Sequence, residues 1–235
     1  MPIILSIETS TKGCSAAIHQ DGKLLSISEI YNEKSSSGML TTLIQHVVKT
    51  AGLTYESLDA IAVAKGPGSY TGLRIGVSTA KGLCYTLDKP LISVNTLEAM
   101  AYAISDFRIL NEESTSFDLL CPMLDARRME VYCAIYNAYT QEQVEETQAK
   151  IIDENSFNEI LQKKKVLFFG DGASKCRSTL GQNPNALFLE TTLNPSAKSV
   201  GILATNVFER GQFENVADFE PFYLKEFMAT TAKVK

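Results

Sequence analysis

The chain has 235 residues, of which 45% are hydrophobic and 21% are charged, a composition ordinary for a soluble globular protein of one large or two small domains. Its net charge of −5 argues against a protein that binds nucleic acid on its own, because such binding depends largely on basic residues that neutralise phosphates. It has no apolar stretch long enough to cross a membrane, no signal-peptide pattern and no CxxC pair among its five cysteines. We therefore expect a cytoplasmic protein with reduced thiols.

The first half begins with apolar runs separated by short polar turns, which predict an antiparallel meander of strands at residues 3–8, 14–19 and 24–31. A helix is predicted near residues 38–51, because its apolar residues recur at the i, i+3, i+4 spacing of a buried helical face. The main residues of that face are Leu40, Leu43, Ile44 and Val47. A buried strand at residues 59–64 follows the helix.

The segment at residues 66–76, Gly-Pro-Gly-Ser-Tyr-Thr-Gly-Leu-Arg-Ile-Gly, follows this strand and leads into a helix that ends near residue 88. Ser69 or Thr71 can cap that helix by accepting an amide hydrogen bond. A turn of this kind points free amides outward and could cradle a phosphate. Its glycine spacing, however, matches neither the P-loop nor the dinucleotide-binding motif.

Three small residues of the same helix, Gly72, Gly76 and Ala80, are spaced four apart and therefore lie on one ridge. A glycine inside a helix costs about 1 kcal/mol relative to alanine, so the two glycines indicate that another backbone packs closely against the ridge. That neighbour could be another part of the chain, a helix of a partner protein or a ligand. The residues alone leave these alternatives open.

The second half of the chain repeats the order of the first. Residues 6–18 align with residues 123–135 at an offset of 117, without a gap, and this alignment matches Glu8 with Asp125. A glycine turn also recurs at residues 170–174. An offset of about half the chain predicts a duplicated unit of β-meander plus α-helices, and hence an α/β protein of two related lobes.

The polar, unpatterned stretch at residues 111–116 is the predicted boundary between the lobes. The predicted lobes are residues 1–112 and 113–235, so that the last predicted helix, which begins after residue 196, belongs to the second lobe. The aromatic tail from about residue 212 is expected to pack back on the first lobe.

The residues capable of chemistry do not form a recognised catalytic motif. The two histidines, His19 and His46, lie in different elements without the spacing of a zinc site, and both are expected to face solvent. Glu8 and Asp125 end matched strands, where sugar and acetate kinases hold a metal–phosphate complex. The turns that follow these carboxylates lack the glycines that bring backbone close to phosphate, so turn-capping is favoured over phosphoryl transfer.

Five motifs cover the chain from end to end, in order. They are ILSIETST at residues 4–11, GPGSYTGLRIG at 66–76, VNTL at 94–97, LDAR followed by EVY at 124–132, and EP followed by YL at 220–224. Together they resemble the TsaB family, once called YeaZ. The resemblance implies an actin-like, Hsp70-like ATPase (ASKHA) fold of two lobes, in agreement with the internal repeat. One departure is Ser36-Ser37-Gly38, where many members have a His-Ser pair entering the first helix.

The resemblance also implies a function. TsaB proteins are non-catalytic partners of TsaD in making N6-threonylcarbamoyladenosine (t6A) at position 37 of tRNAs that read ANN codons. The resemblance implies that this chain forms a heterodimer with TsaD, that the ATPase TsaE joins the pair, and that the chain forms a homodimer when alone. The chain is expected to meet tRNA only through the complex. It is expected to have no cofactor, no enzymatic activity and no membrane association. The alternatives are a stand-alone ATP-dependent kinase or peptidase-like enzyme of the same fold, and a regulatory homodimer.

In the family, the helices near residues 38–51 and 71–87 meet TsaD. The predicted partner-binding residues on these helices are Leu40, Leu43, Ile44, Val47, Gly72, Leu73, Gly76 and Ala80. A nucleotide contact is considered at Ser10, Gly68 and Asp125, and no catalytic or metal-binding residue is expected.

Overall fold

The computed structural model of the chain describes residues 1–31, 36–111 and 117–225. Most of the stretch predicted to hold the lobe boundary, residues 112–116, therefore lies outside the described residues. Within these ranges the strands form two five-stranded sheets. The first sheet contains β1 (Ile3–Glu8), β2 (Gly13–Gln20), β3 (Lys23–Tyr31), β4 (Ala60–Gly66) and β5 (Leu91–Asn95). The second contains β6 (Leu119–Asp125), β7 (Glu130–Asn137), β8 (Gln143–Ile151), β9 (Val166–Phe169) and β10 (Ala186–Phe188).

Helices connect and cover these sheets. They are α1 (Ser36–Thr50), α2 (Tyr70–Leu87), α3 (Thr96–Asn111), α4 (Asn158–Leu161), α5 (Ala173–Leu180) and α6 (Ala197–Glu209). Helix α2 begins as predicted at Ser69, whose hydroxyl accepts a hydrogen bond from Gly72 N at 3.3 Å. In the described part of the chain, no helix is both long enough and apolar enough to span a membrane.

The two sheets share one topology, which confirms the predicted duplication. Their strand orders are β3-β2-β1-β4-β5 and β8-β7-β6-β9-β10. In each sheet the first three strands form an antiparallel meander, and the last two run parallel to the first strand. Glu8 and Asp125 end the matched strands β1 and β6. The chain is thus an α/β protein of two related lobes.

Helices α1 and α2 cover one face of the first sheet. Because side chains of a strand alternate between the two faces of its sheet, Leu5 and Ile7 of β1 point together toward these helices and pack in one core with them. The apolar stripe of α1, which is at most 4% exposed, joins the same core through Leu40, Leu43, Ile44 and Val47. The predicted amphipathic helix is confirmed, and its apolar side lies inside the first lobe.

The opposite face of the first sheet is covered by α6. Val200 and Ala204 of this helix pack on Ile4 and on the alanines of β4. Helix α3 from the first half in turn contributes Leu97 and Met100 to a core on the second sheet. The prediction that the last helix belongs to the second lobe is therefore wrong. Its amphipathic pattern demands a sheet face to cover, but the pattern does not say which of two similar sheets provides that face.

The segment after α6 returns to the first lobe. Glu214 N donates a hydrogen bond to Leu91 O at 2.9 Å, and Phe222 N donates one to Lys65 O at 2.7 Å. We refer to residues 212–225 as the C-terminal segment. These backbone bonds set it alongside β4 and β5.

Candidate functional site

The glycines of the α2 ridge press against the turn between β1 and β2. A Cβ atom added at Gly72 would lie 2.0 Å from Thr9 O, and one added at Gly76 would lie 2.3 Å from Thr9 Oγ1. The hydroxyl of Thr9 also donates a hydrogen bond to Gly72 O at 2.8 Å. Both Cβ distances are far shorter than van der Waals contact, so a side chain fits at neither position. Of the three alternatives left open by the sequence, the neighbour of the ridge is another part of the same chain.

The predicted partner-binding residues therefore need correction. All eight are buried within the first lobe, and they are Leu40, Leu43, Ile44, Val47, Gly72, Leu73, Gly76 and Ala80. Buried side chains cannot touch a partner while the lobe keeps this packing. The physical reason is that helical periodicity identifies a buried face without identifying what buries it.

The outer side of α2 carries a second set of residues, which we call the outer stripe: Thr71, Ser78, Gly82 and Tyr85. Their successive spacings of seven, four and three residues set them on one side of the helix, and all four are exposed. A Cβ atom added at Gly82 would meet nothing within 4 Å, so no contact in the described structure explains a glycine there. Tyr85 is 84% exposed, and Met39 on the neighbouring helix α1 is 37% exposed. The outer stripe is thus a surface of α2 that a partner can reach.

Sequence reasoning missed the outer stripe although a signal was present. Helix α2 has a third glycine, Gly82, that lies off the ridge formed by Gly72, Gly76 and Ala80. Of the three glycines, the two on the ridge lie against Thr9, while Gly82 has no neighbour within 4 Å of an added Cβ atom.

Glu8, the last residue of β1, is buried, and its carboxylate bonds to the β1–β2 turn that follows it. Its Oε1 accepts a hydrogen bond from Ser10 N at 2.5 Å, while Oε2 has no hydrogen-bond partner among the described residues. Burial raises the pKa of Glu8 from 4.5 to about 7, although hydrogen bonds from Ser10 act in the opposite direction. The carboxyl group therefore ties down the turn, as the capping interpretation predicts.

Two of the three residues considered for a nucleotide contact lie against each other. A Cβ atom added at Gly68 would lie 2.3 Å from Ser10 O. Asp125 makes its contacts in the second lobe, where it forms an ion pair with Lys175 and accepts a hydrogen bond from Arg127 N at 3.0 Å. Contact of these residues with a nucleotide stays a prediction. Across the described ranges, no group of three or more His, Cys, Asp or Glu residues is arranged to hold a metal ion.

His19 is buried, whereas the sequence predicts a solvent-facing ring. Helix α6 covers it so closely that a Cβ atom added at Gly201 would lie 2.1 Å from His19 Nδ1 and 2.6 Å from Ser6 Oγ. Burial, followed by the charge of Lys198, lowers the pKa of His19 from 6.5 to about 4. The prediction fails because the covering helix comes from the far end of the chain. His46 is exposed, as predicted.

A groove of about 360 Å³ lies between α2 and the C-terminal segment. Two cationic side chains of α2 hold the segment in place. Arg74 Nε donates a hydrogen bond to the hydroxyl of Tyr223 at 3.2 Å. Lys81 Nζ donates to Ala217 O at 3.1 Å and to Phe219 O at 2.9 Å. The C-terminal segment therefore forms one wall of the groove, and α2 forms the other.

Comparisons with known proteins agree with this architecture. A family model described as TsaD, tRNA N6-adenosine threonylcarbamoyltransferase, matches residues 31–233. The chain is 28% identical over 230 residues to tRNA threonylcarbamoyladenosine biosynthesis protein TsaB of Escherichia coli, with 96% of each chain covered. It is 32% identical over 177 residues to TsaB of Bacillus subtilis, with 73% of this chain and 72% of the relative covered. A solved Pseudomonas aeruginosa protein with similarity to peptidase YEAZ superposes with a TM-score of 0.80 at 24% identity, over 96% of this chain and 100% of that one.

Proposed function

This chain belongs to the TsaD family and, within it, to the TsaB proteins of tRNA threonylcarbamoyladenosine biosynthesis, and we propose that it acts there as the non-catalytic subunit that supports TsaD. The product is t6A at position 37 of tRNAs that read ANN codons. In this proposal the chain forms a heterodimer with TsaD in the cytoplasm, TsaE joins the pair, and tRNA is bound only through the complex.

The β1–β2 turn supports a non-catalytic role. A phosphate-binding turn needs backbone amides without partners, but here Ser10 N donates to Glu8 and Ser69 N donates to Ser10 O at 2.6 Å. Further along the glycine segment, Gly72 N donates to Ser69 Oγ. Of these bonds, the one from Ser69 N joins the β1–β2 turn to the start of α2, while the other two lie within the turn and within the helix cap. The net charge of −5 likewise favours a chain that meets tRNA through a partner.

The observation that carries the proposal is the outer stripe. A glycine in an exposed helix costs about 1 kcal/mol relative to alanine, and Gly82 faces open space. Close approach of a partner's helix gives a reason for a glycine at this position, because small residues let two helices pack at short distance. The exposed Tyr85 and Met39 add apolar area on the same pair of helices. In the absence of TsaD, a second copy of the chain would occupy this surface to form the homodimer.

Replacement of Gly82 tests the proposal. Gly82→Leu adds a branched side chain to the outer stripe, and we expect it to raise the Kd for TsaD of the same organism by about tenfold or more, because overpacking of a close contact costs about 1–3 kcal/mol. Titration calorimetry and co-elution measure the binding, and circular dichroism checks the fold. The matched variant Gly82→Ala should weaken binding less than the leucine variant does.

Two results would contradict the proposal. One is an unchanged Kd for TsaD in the Gly82→Leu variant. The other is hydrolysis of ATP or peptide by the purified chain at a substantial rate that is lost in Asp125→Ala, which would favour a stand-alone enzyme instead.

A further inference from the structure

The groove between α2 and the C-terminal segment continues the outer stripe. Ser78 belongs to the stripe and also lines the groove, so a partner helix lying along the stripe would cover the mouth of the groove. Inside, Val77 and Pro221 supply apolar walls, while Arg74 and Lys81 supply positive charge. The groove therefore sets two cationic side chains beside the outer stripe, where they can discriminate between partner side chains by charge.

The guanidinium group of Arg74 is held in place before any partner arrives. Its central carbon lies 4.2 Å from the centroid of the Tyr70 ring, and that ring lies against Tyr223 with 4.8 Å between centroids. The hydrogen bond from Arg74 Nε to the Tyr223 hydroxyl fixes one edge of the group. Among the described residues Arg74 makes this one hydrogen bond, which leaves its two terminal nitrogens as donors. An arginine fixed in this way presents a ready fork for a carboxylate.

The charges around the groove are unbalanced toward the positive. Arg74 and Lys81 face a single lining carboxylate, Glu220, although the whole chain has a net charge of −5. Two of the three N–H groups of Lys81 are used on backbone carbonyls, and the third can serve a further acceptor. The volume of about 360 Å³ far exceeds the roughly 30 Å³ of one water molecule, so the groove has room for a side chain.

We infer that the groove receives an aspartate or glutamate side chain of the partner subunit, held between Arg74 and Lys81. The inference rests on the proposed function, because it requires the partner's helix to lie on the outer stripe. Charge complementarity of this kind selects the partner and sets its register along α2 more than it adds affinity. The C-terminal segment is then part of the binding surface, since it forms one wall of the groove and orients Arg74 through Tyr223.

Two substitutions at Ser78, whose introduced side chains are nearly isosteric with each other, test the inference. Ser78→Glu introduces a carboxylate within reach of Arg74 and Lys81, at i−4 and i+3 on the same helix, and would compete with the partner's carboxylate and repel it. Ser78→Gln adds the same bulk without the charge. We expect the Kd for TsaD to be about tenfold higher for the glutamate variant than for the glutamine variant. The difference should shrink as salt concentration rises, and it should disappear when the partner's carboxylate is replaced by its amide.

The outcomes separate this inference from the proposal beneath it. Equal Kd values for the two Ser78 variants would overturn the carboxylate site, while binding that is sensitive to Gly82→Leu would leave the proposed function standing. Failure of the wild-type chain to bind TsaD at all would overturn both.

Discussion

On the side covered by α1 and α2, the first sheet presents large apolar side chains such as Leu5 and Ile7, whereas on the side covered by α6 it presents Ser6, Glu8 and His19. Both faces are equally buried, and in β1 they are formed by alternate residues of one strand. The first face is an ordinary hydrophobic core. The second combines alanines with polar groups, several of which have no hydrogen-bond partner among the described residues.

This difference shows what each face contributes. Burial of apolar groups on the α1/α2 side stabilises the lobe whatever the pH, so those helices can offer their outer surface to a partner without giving up their own core. On the α6 side, each buried polar atom that lacks a hydrogen-bond partner lowers the stability of the fold by about 1–3 kcal/mol. Two of the residues that have such atoms, Glu8 and His19, are titratable. The α6 face should therefore be the one whose stability responds to pH.

The largest effect is expected on the α1/α2 side, from Gly72→Ala. The added Cβ would lie 2.0 Å from Thr9 O, a backbone atom that cannot move without shifting β1. We expect the free energy of unfolding, measured by urea denaturation, to fall by about 3 kcal/mol or more. Gly82→Ala is the matched control in the same helix, and it should gain about 1 kcal/mol because its Cβ enters open space. Equal stability of the two variants would mean that the turn does not lie tightly on α2.

On the α6 side, Glu8 and His19 should produce opposite dependences of stability on pH. The folded-state pKa of Glu8, about 7, lies above its ordinary value of 4.5. The contribution of Glu8 to the free energy of unfolding is therefore present below pH 4.5 and is lost as the pH rises through 7. The folded-state pKa of His19, about 4, lies below its ordinary value of 6.5. The contribution of His19 to the free energy of unfolding is therefore present above pH 6.5 and is lost as the pH falls through 4. In the wild type the two slopes largely offset each other.

A single substitution at either residue should reveal the pH dependence of stability that the other residue contributes. Glu8→Gln keeps an acceptor for Ser10 N, and the variant should lose about 2–3 kcal/mol of stability as pH falls from 6.5 to 4. His19→Gln should instead lose a similar amount as pH rises from 4.5 to 7. Denaturant titrations across this range measure both. If the two variants and the wild type give parallel pH profiles, the pH response does not come from this face.

A smaller effect is expected where α6 approaches the sheet. Gly201→Ala would set its Cβ 2.1 Å from His19 Nδ1, and the imidazole would have to shift in a packed site. We expect a loss of about 1–2 kcal/mol. Because the two shortest contacts of the added Cβ are with the His19 ring and the next is with Ser6 Oγ, the double variant with His19→Ala should be less destabilised than the sum of the two single variants. Strict additivity would show that α6 does not press on His19.

Some features could be predicted because they depend on neighbours in the sequence. Strand alternation gave the meander at residues 3–31, helical periodicity gave the buried stripe that includes Leu40 and Ile44, and the offset that matches Glu8 with Asp125 gave the duplication. Each prediction uses a repeat of two, three or four residues, or a comparison of one half of the chain with the other, and needs no knowledge of long-range contacts.

The amino-acid sequence by itself therefore determined the main elements, the buried face of α1, the two-lobed plan and the family. Only the tertiary structure decided what covers each face: Thr9 lies on Gly72 and Gly76, and α6 covers His19. It also decided that Gly82 is the glycine of α2 that is left open. The physical reason is that a pattern along one helix or strand reports that a position is buried or tightly packed, while the group that packs there comes from a distant part of the chain.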